Sequence, residues 1–316
     1  MNNYFDVIVI GAGAAGLTAG IYLSRAKVKT LILNEGTVGG QLVLTHEIAN
    51  YPGVENISGY ELARTMKIQA QKFGCVIKSN LKITSMDLTG EIKTIEINNK
   101  DTFTSDSVII ATGGKPRSVG VPGEDVFKGK GISYCATCDG DFFQDKEIIV
   151  VGGGNSALEE AVSLTKYASK VTIVHQFDHF QAFEHYVDEA RNNPKIDFIM
   201  ESKIVEFVGD EKLNSVKIEN LRTNQITEKV IDGVFIFIGY VPNTEKLEGI
   251  IELNDWKEII VDKNMATNLN GVYAAGDSIA KRYRQVTTAV ADGTIAALSA
   301  AEYLNNLKKE KLLLQS

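Results

Sequence analysis

The first apolar run of the chain, Ile8-Val9-Ile10, leads directly into a glycine-rich turn of the form Gly11-x-Gly13-x-x-Gly16. A short, continuous apolar run that ends in such a turn predicts a buried parallel strand followed by a helix. The next apolar run, Thr30 to Leu33, predicts the second strand of the same sheet. The segment as a whole therefore predicts a βαβ unit of the dinucleotide-binding type.

The same pattern recurs at a constant offset of 141 residues, from Ile8 to Ile149, without a gap. Ile149-Val150-Val151 predicts the strand, and Gly152-x-Gly154-x-x-Ala157 predicts the turn. The helix is then expected over Ser156 to Tyr167 and the second strand over Val171 to Val174. A lone glycine motif arises often by chance, but one that stands between a strand and a helix and is repeated in register is far more specific. We therefore expect two Rossmann-like folds.

Shorter apolar stretches with turn signals between them follow each unit. Those after the first unit are Leu81 to Asp87, Ile92 to Ile97 and Val108 to Ala111. Those after the second are Val205 to Val208, Ser215 to Ile218, Lys229 to Ile231 and Val234 to Ile238. A last strand and tight turn are expected over Gly271 to Asp277, followed by a helix from about Gln285 to Leu304.

The simplest arrangement of these elements is an α/β protein of two Rossmann-like dinucleotide-binding domains, the second inserted into the first. The first domain is expected to comprise residues 1–117 and 246–316, and the inserted module residues 118–245. A chain of 316 residues with 44% hydrophobic content is long and apolar enough for two such cores.

Charge and patterning exclude some partners. The chain has 40 acidic and 33 basic residues, so its net charge of -7 gives no positive field for a nucleic-acid backbone. Met1 to Asp6 has no basic n-region, and glycines interrupt the apolar stretch from Val7 to Leu23. That pattern suits a strand and turn better than a signal or membrane helix. We expect a cytoplasmic protein that binds neither nucleic acid nor membrane.

The first glycine motif predicts a pyrophosphate site. Its three glycines, Gly11, Gly13 and Gly16, let the backbone approach a phosphate, and the helix start at Ala14 and Ala15 offers free N–H groups. Glu35 stands where an acid about 20 residues on accepts from ribose hydroxyls. The alternative is a tight strand-to-helix turn with no ligand, and for the second glycine motif both interpretations stay open.

Two of the three cysteines stand in the string Cys135-Ala136-Thr137-Cys138-Asp139-Gly140, just before the second fold. This spacing allows either a disulfide or half of a metal site. Zinc needs about four ligands and the chain offers no second pair, so redox chemistry is favoured and no metal is expected. Asp139 is placed to tune which sulfur carries a proton, although a solvated turn carboxylate is the alternative. Cys75 is expected to be a buried strand residue.

Several motifs taken together resemble the low-molecular-weight thioredoxin reductases, over about Phe5 to Tyr303. They are the cysteine string, Gly39-Gly40-Gln41-Leu42, Ile110-Ala111-Thr112-Gly113, Gly152-Gly153-Gly154-Asn155-Ser156-Ala157 and Arg284-Gln285. The resemblance implies a homodimeric FAD enzyme in which reduced flavin reduces a Cys135–Cys138 disulfide and the dithiol reduces thioredoxin. It also implies that Cys138 lies beside the flavin, that Cys135 attacks the partner's disulfide and that Asp139 is the general acid.

The resemblance further implies a set of FAD contacts beyond the first glycine motif and Glu35. These are Gly40, Gln41, Asn50, Ala111, Thr112, Gly113, Gly276, Asp277, Arg284, Gln285 and Val286. A helix that begins near Gln285 would place its partial positive charge against the developing anion of reduced flavin.

One segment departs from the family. NADPH-dependent members carry a His-Arg-Arg run after the second fingerprint, and its guanidiniums hold the 2′-phosphate. Here the residues are His175-Gln176-Phe177, and no lysine or arginine occurs between Lys170 and Arg191. The repeat places Gln176 opposite Glu35, so the acid that NADH would need is missing too. Three phenylalanines, Phe177, Phe180 and Phe183, either line the mouth of this site or form a packed helix face.

Family members without pyridine-nucleotide anchors are the ferredoxin-dependent flavin thioredoxin reductases, and the chain resembles these. Ferredoxin is therefore the expected electron donor. It is expected to dock at the densest basic cluster near a flavin motif, Lys281, Arg282 and Arg284, because both proteins are acidic overall. The alternative is that Arg284 binds FAD while Lys281 and Arg282 are solvated loop charges. Three alternatives remain: an NADPH- or NADH-dependent reductase with an atypical nucleotide site, a non-catalytic flavoprotein, and a reductase whose acceptor is a peroxidase-reducing module.

Overall fold

A computed structural model describes residues 3–45 and 48–313 of the chain. The chain divides into two compact units. Unit 1 comprises Met1–Lys115 and Val241–Ser316, and unit 2 is the continuous segment Pro116–Tyr240. The boundaries expected from the sequence, after residues 117 and 245, lie two and five residues further along the chain.

The structure contains strands of two to ten residues. In chain order they are β1 (Tyr4–Ile10), β2 (Thr30–Leu33), β3 (Val76–Lys78), β4 (Ile83–Asp87), β5 (Lys93–Ile97), β6 (Asp101–Ile110), β7 (Gly114–Pro116), β8 (Ile132–Ser133), β9 (Glu147–Val151), β10 (Lys170–Val174), β11 (Ile196–Ile199), β12 (Ser202–Gly209), β13 (Leu213–Asn220), β14 (Ile226–Val230), β15 (Gly233–Ile236), β16 (Tyr240–Pro242) and β17 (Val272–Ala274).

The helices differ widely in length. They are α1 (Ala14–Arg25), α2 (Gly59–Lys72), α3 (Glu124–Phe127), α4 (Ala136–Asp139), α5 (Asn155–Leu164), α6 (Glu184–Arg191) and α7 (Val286–Leu313). Short 3-10 turns lie at Gly40–Leu44, Gly140–Phe143, Glu245–Leu247 and Gly276–Ser278. The last helix extends nine residues beyond the expected end at Leu304, because the segment that follows contains good helix formers and neither glycine nor proline.

Unit 1 is built on a seven-stranded sheet of order β3-β2-β1-β6-β5-β4, with β17 also paired to β6. The five strands β1, β2, β3, β6 and β17 run parallel, whereas β4 and β5 form an antiparallel meander. Alternation along β1 divides its side chains between two cores: Val7 and Val9 pack on the side of the helices, and Ile8 and Ile10 pack on the opposite face. A capping box starts α2, where Ser58 Oγ accepts from the N–H of Glu61.

Unit 2 carries a parallel sheet of order β11-β10-β9-β15-β8 and a separate antiparallel sheet of order β12-β13-β14. Its central strands β9, β10 and β15 are almost entirely apolar and buried, as expected for strands covered on both faces. The α/β class with Rossmann-like sheets is therefore confirmed. Strands β7 and β16 pair in a two-stranded sheet. None of the helices within residues 3–45 and 48–313 is long and apolar enough to cross a bilayer.

Candidate redox and dinucleotide sites

The predicted cofactor residues of unit 1 gather at one edge of its sheet. Strands β1, β2, β6 and β17 are parallel and in register, so Ile10 lies beside Leu33 and Ile110, and Ala274 lies beside Ile110. Backbone hydrogen bonds continue past the strand ends, from Ala111 N–H to Ile10 O at 2.7 Å and from Ala275 N–H to Ile110 O at 2.8 Å. This is the edge at which open α/β sheets bind ligands.

The first glycine motif separates into two roles. Gly11 has φ +106°, and a Cβ placed there would lie 2.2 Å from the carbonyl oxygen of Ala111. A Cβ at Gly16 would lie 2.0 Å from the carbonyl oxygen of Gly11. Packing therefore requires both glycines. At Gly13, which precedes α1, a Cβ would meet no atom within 4 Å. Protein packing does not require glycine there, whereas a phosphate group approaching the helix start would.

Two buried polar atoms at this edge have no hydrogen-bond partner within the described chain, namely Thr112 Oγ1 and Asp277 Oδ1. Burial raises the pKa of Asp277 above its usual range, although Lys281 and Arg284 lower it in part. Orphaned buried polar atoms are costly, so they indicate a partner of complementary polarity. A hydroxyl-bearing dinucleotide such as FAD supplies such partners, and the residues present at this edge fit that group.

Glu35 lies just beyond the end of β2, but its carboxylate is already engaged. Oε1 of Glu35 accepts from the N–H of Ile83 at 2.7 Å and forms an ion pair with Lys246. Lys246 also donates to the carbonyl oxygen of Ile83, at 2.9 Å. Lys246 could not be identified from the sequence, because it is distant from Glu35 in the chain and belongs to no motif. Together with the Ile83 N–H, Lys246 fixes the orientation of the Glu35 carboxylate.

The remaining predicted contacts lie around the same edge. A Cβ at Gly40 would come within 3.3 Å of the Gly13 Cα, so the loop at Gly40 approaches the glycine motif closely. Gln41 is exposed, and Asn50 Nδ2 donates to Gln285 Oε1 at 3.4 Å. Gln285 immediately precedes α7, whose first residue is Val286. Asn243 binds the carbonyl oxygens of Thr112 and Gly113, at 3.0 and 2.9 Å, and sequence reasoning missed it.

The basic cluster at Lys281, Arg282 and Arg284 offers less free charge than expected. Lys281 forms an ion pair with Asp292, and both side chains are largely buried. Arg284 pairs with Glu258. Both cations are thus neutralised by acids that are distant in the chain, which is why the sequence alone suggested an open patch. The expectation of a solvated basic docking cluster is wrong for these two residues.

The cysteine motif of unit 2 forms a disulfide between Cys135 and Cys138. Cys135 precedes α4, and its Sγ accepts from the N–H of Cys138 at 3.2 Å. Both cysteines are half-buried, so they combine a fixed backbone with access to a partner. Cys75 is buried in unit 1, as expected, but lies one residue before β3 rather than within a strand. Burial raises the pKa of its thiol to about 11.

Ser133 links the two ends of the cysteine motif. Its hydroxyl donates to Asp139 Oδ2 at 2.5 Å and accepts from the N–H of Cys135 at 3.1 Å. Tyr134, which follows Ser133, is held by Glu124. The buried carboxylate of Glu124 accepts from the Tyr134 hydroxyl at 2.6 Å and from the N–H groups of Val119 and Gly120. Neither residue carries a sequence signal, because serine next to a strand end and glutamate in a short helix are common.

The second glycine motif is in contact with the loop that precedes α6. The N–H of Gln181 donates to the carbonyl oxygen of Gly153 at 2.8 Å, and Gly154 pairs with Gln181 as an isolated bridge. Asn155 Oδ1 accepts from the N–H of Phe183 at 2.8 Å. Residues 177–183 therefore lie along the turn at which a pyrophosphate would be expected. The three phenylalanines lie in this loop before α6, so their assignment to one helix face is wrong.

His175 fills the space beside the same turn. A Cβ at Gly153 would lie 2.3 Å from the imidazole, which is 5% exposed and stacks on Phe180 at 5.8 Å. Its Nε2 has no hydrogen-bond partner within the described chain, and burial lowers the pKa of His175. The imidazole is thus held neutral as part of the packing, and Gln176 and Phe177 beside it bring no positive charge to the site.

His175 should make the stability of the protein depend on pH. Its pKa is lower in the folded state than in the unfolded state, so the unfolded chain binds more protons as pH falls below about 6.5. Stability is then lost between that pH and the lower folded value. We expect His175→Phe to reduce the fall in melting temperature between pH 7.5 and 5.5 by a few degrees. The exposed His185 provides the control, since His185→Phe should leave the fall unchanged.

Comparisons with known proteins cover nearly the whole chain. Residues 5–293 match the family described as pyridine nucleotide-disulphide oxidoreductase. A thioredoxin reductase from Peptoclostridium acidaminophilum is 48% identical, covering 96% of this chain and 98% of that protein. The 34.2 kDa protein in the rubredoxin operon of Clostridium pasteurianum is 46% identical, covering 95% and 97%. The crystal structure of thioredoxin reductase from Streptococcus pyogenes MGAS5005 superposes with a TM-score of 0.92 at 40% identity, covering 97% and 100%.

Proposed function

The chain belongs to the pyridine nucleotide-disulphide oxidoreductase family, as a thioredoxin reductase of the low-molecular-weight kind, and from this premise we propose that an iron–sulfur protein of the ferredoxin class donates its electrons. The electrons then pass through FAD and the Cys135–Cys138 disulfide to thioredoxin. The observation that carries the donor assignment is the segment from His175 to Phe183, which has no lysine or arginine and lies along the second glycine motif.

FAD is the cofactor of this family, and unit 1 has the residues to hold it. The open backbone at Gly13 would receive the pyrophosphate, Glu35 the ribose, and Thr112 Oγ1 and Asp277 Oδ1 hydroxyl or amide groups of the cofactor. The start of α7 behind Gln285 would supply a positive potential to a reduced, anionic ring. When bound, the flavin supplies a carrier that takes electrons one at a time and passes them on in pairs.

The cysteine pair performs the exchange with thioredoxin. Two electrons and two protons convert the Cys135–Cys138 disulfide into two thiols. Cys135, as thiolate, attacks the thioredoxin disulfide to form a mixed disulfide, and Cys138 then attacks Cys135 so that thioredoxin leaves as a dithiol. The N–H of Cys138, 3.2 Å from Cys135 Sγ, favours the thiolate form of Cys135. Asp139 would act as the general acid that protonates a departing thiolate.

Charge and space both argue against NADPH in unit 2. A 2′-phosphate needs guanidinium or ammonium partners, and the residues at that place are Gln176 and Phe177. Loss of two charged contacts, at about 1.5 to 3 kcal/mol each, weakens binding by at least about a hundredfold. The hydrogen bonds from the Gln181 N–H to the Gly153 carbonyl oxygen and from the Phe183 N–H to Asn155 Oδ1 also hold this loop beside the turn. The missing positive charge is the main argument against the nucleotide.

A low-potential iron–sulfur donor satisfies the energetics. A donor near about -400 mV facing thioredoxin near about -270 mV leaves roughly 130 mV, or about 6 kcal/mol for two electrons. The relative from Clostridium pasteurianum adds support, because its name places it in a rubredoxin operon.

NADPH is the second candidate donor, because the description of the matched family names a pyridine nucleotide and several relatives are named plainly as thioredoxin reductases. Under this alternative, the loop over Gly153 and Gly154 would have to open. Ferredoxin dependence and NADPH dependence therefore differ in a single measurable property of the holoenzyme.

We expect reduced ferredoxin, and neither NADPH nor NADH, to bleach the flavin of the holoenzyme under anaerobic conditions. Stopped-flow absorbance at the flavin band measures this, with ferredoxin kept reduced by a chemical reductant too dilute to act on the flavin itself. A control without ferredoxin fixes that background rate. Complete bleaching by micromolar NADPH at a rate matching turnover would overturn the donor assignment and leave thioredoxin reduction intact.

The assembly and location of the protein follow from the same proposal. We propose a homodimer, in keeping with the family resemblance and with Ile295 and Leu298, which α7 leaves exposed. A redox disulfide that cycles with thioredoxin suits the reducing cytoplasm, where disulfides are mainly catalytic. Light scattering of the holoenzyme distinguishes a dimer from a monomer of 34.5 kDa.

A further inference from the structure

The hydroxyl of Ser133 lies between the attacking cysteine and the acid. Ser133 ends β8, and its side chain is 5% exposed. Three groups lie within hydrogen-bond distance of its Oγ: Asp139 Oδ2 at 2.5 Å, the N–H of Cys135 at 3.1 Å and the carbonyl oxygen of Cys135 at 3.3 Å. A hydroxyl has one proton to donate, so it can serve only one of the two acceptors at a time.

The protonation state of Asp139 decides which acceptor is served. When Asp139 is ionised, the Ser133 hydroxyl donates to the carboxylate, because a hydrogen bond to a charged acceptor is the stronger one. When Asp139 carries a proton, that proton can be donated to Ser133 Oγ, and the serine hydroxyl then turns to the carbonyl oxygen of Cys135. Both states of the acid are satisfied without movement of the carboxyl group.

We propose that Ser133 is a positioning residue that holds Asp139 in place in both protonation states and keeps it acidic enough to return its proton to a thiolate. This inference rests on the proposed function, in which Asp139 is the general acid of thioredoxin reduction. In each cycle Asp139 gives one proton to the sulfur that leaves as a thiolate and regains one from solvent, so charge balances without a further reactant.

The titratable groups around α4 include more acids than bases. The elements next to or packed against α4 carry three acids, one lysine and two phenols: Tyr134, Asp141, Glu159, Glu160, Lys166 and Tyr167. Neighbouring acids disfavour an ionised carboxylate, and burial beside Glu159 already raises the pKa of Glu160. The hydrogen bond from Ser133 acts in the opposite direction, since it stabilises the ionised form of Asp139.

The test uses pre-reduced holoenzyme mixed with oxidised thioredoxin in a single turnover, so it does not depend on the electron donor. The rate is measured across pH for the wild type and for Ser133→Ala. The alkaline limb of this profile is the range in which the rate falls as pH rises and the general acid loses its proton. We expect the midpoint of this limb to move to a pH about one to two units higher in Ser133→Ala, because the carboxylate loses one hydrogen bond to its charged form. Ser133→Thr keeps a hydroxyl and should retain the wild-type limb.

Further variants separate this role from a general loss of packing. Ser133→Val has the shape of the threonine variant without its hydroxyl, so it should shift the limb as Ser133→Ala does. Ser202→Ala removes another buried hydroxyl of unit 2, one that donates to the carbonyl oxygen of Met200, and should leave the limb in place. In an Asp139→Asn background, Ser133→Ala should change the single-turnover rate little further at any pH, because the two residues act together.

An unchanged alkaline limb in Ser133→Ala, or an equal shift in the threonine and valine variants, would overturn the inference. If the alanine variant does not fold, the threonine and valine pair decides the question by itself. Wild-type enzyme that fails to reduce thioredoxin at any pH would instead count against the proposed function. The same pH series with a small aromatic disulfide as acceptor would then still report on Ser133.

Discussion

Replacing Cys138 by serine is expected to abolish thioredoxin reduction, with turnover below detection, while the bound flavin remains reducible. The disulfide with Cys135 cannot form in this variant, so electrons have no acceptor after the flavin. Cys75 cannot substitute, because it is buried in unit 1 and burial raises the pKa of its thiol to about 11. Cys135 alone can form a mixed disulfide with thioredoxin but cannot resolve it.

The measurement compares steady-state thioredoxin reduction with anaerobic bleaching of the flavin by dithionite. Cys75→Ser is the matched control, since it makes the same substitution in a buried thiol outside the motif. It should keep full turnover at the cost of a slightly lower melting temperature, because a polar hydroxyl replaces a sulfur in an apolar core. Sustained turnover in Cys138→Ser would show that the working cysteines lie elsewhere.

Two glycines of the first motif should respond in opposite ways to the same substitution. Gly11→Ala places a Cβ 2.2 Å from the Ala111 carbonyl oxygen on a backbone with φ +106°, so the backbone must move. We expect a loss of about 3 kcal/mol or more in the free energy of unfolding, and little soluble protein. At Gly13 the backbone is extended and the Cβ meets nothing within 4 Å. Gly13→Ala should therefore fold with its stability changed by less than about 1 kcal/mol.

The cofactor content distinguishes the two variants. Gly13→Ala puts a methyl group where the pyrophosphate is expected to approach, so the purified protein should be nearly colourless and should take up added FAD at least tenfold more weakly. Thermal unfolding without cofactor and fluorescence titration with FAD measure the two effects separately. Tight FAD binding by a well-folded Gly13→Ala protein would place the pyrophosphate away from this turn.

Most of the fold could be predicted from the spacing of apolar residues and from the internal repeat. The elements that were not predicted were hidden for physical reasons. Thr30 to Leu33 was predicted with the bounds that β2 has, because every residue of that strand is buried and the pattern is continuous. Only the last residues of β6 were predicted. Of its earlier inward positions, Phe103, Ser105 and Ser107, the last two are serines, whose hydroxyls donate to the carbonyl oxygens of Ser107 and Gly271. Buried serines satisfied by backbone groups hide the alternation that marks a strand.

The candidate sites were predictable where the chemistry lies in a motif and hidden where it depends on tertiary contacts. The cysteine pair and the glycine turns are local in sequence, and the structure places them as expected. Lys246, which holds Glu35, and Ser133, which holds Asp139, act across strand ends and belong to common residue types. The ion pairs of Lys281 and Arg284 were missed for the same reason, since their acids are distant in the chain.

The division of unit 1 into two segments of chain determines the order in which the protein can form during synthesis. Unit 2 is continuous, so it can fold as soon as it has left the ribosome. Unit 1 must wait for β17, which pairs with β6, and for α7, which packs on α1 with Gly293 against the Ala15 carbonyl. Gly276, where a Cβ would lie 2.9 Å from the Ala15 Cβ, therefore reaches the start of α1 last. The nascent chain exposes an incomplete parallel sheet until then, and the FAD site proposed at its edge is complete only after β17 has paired.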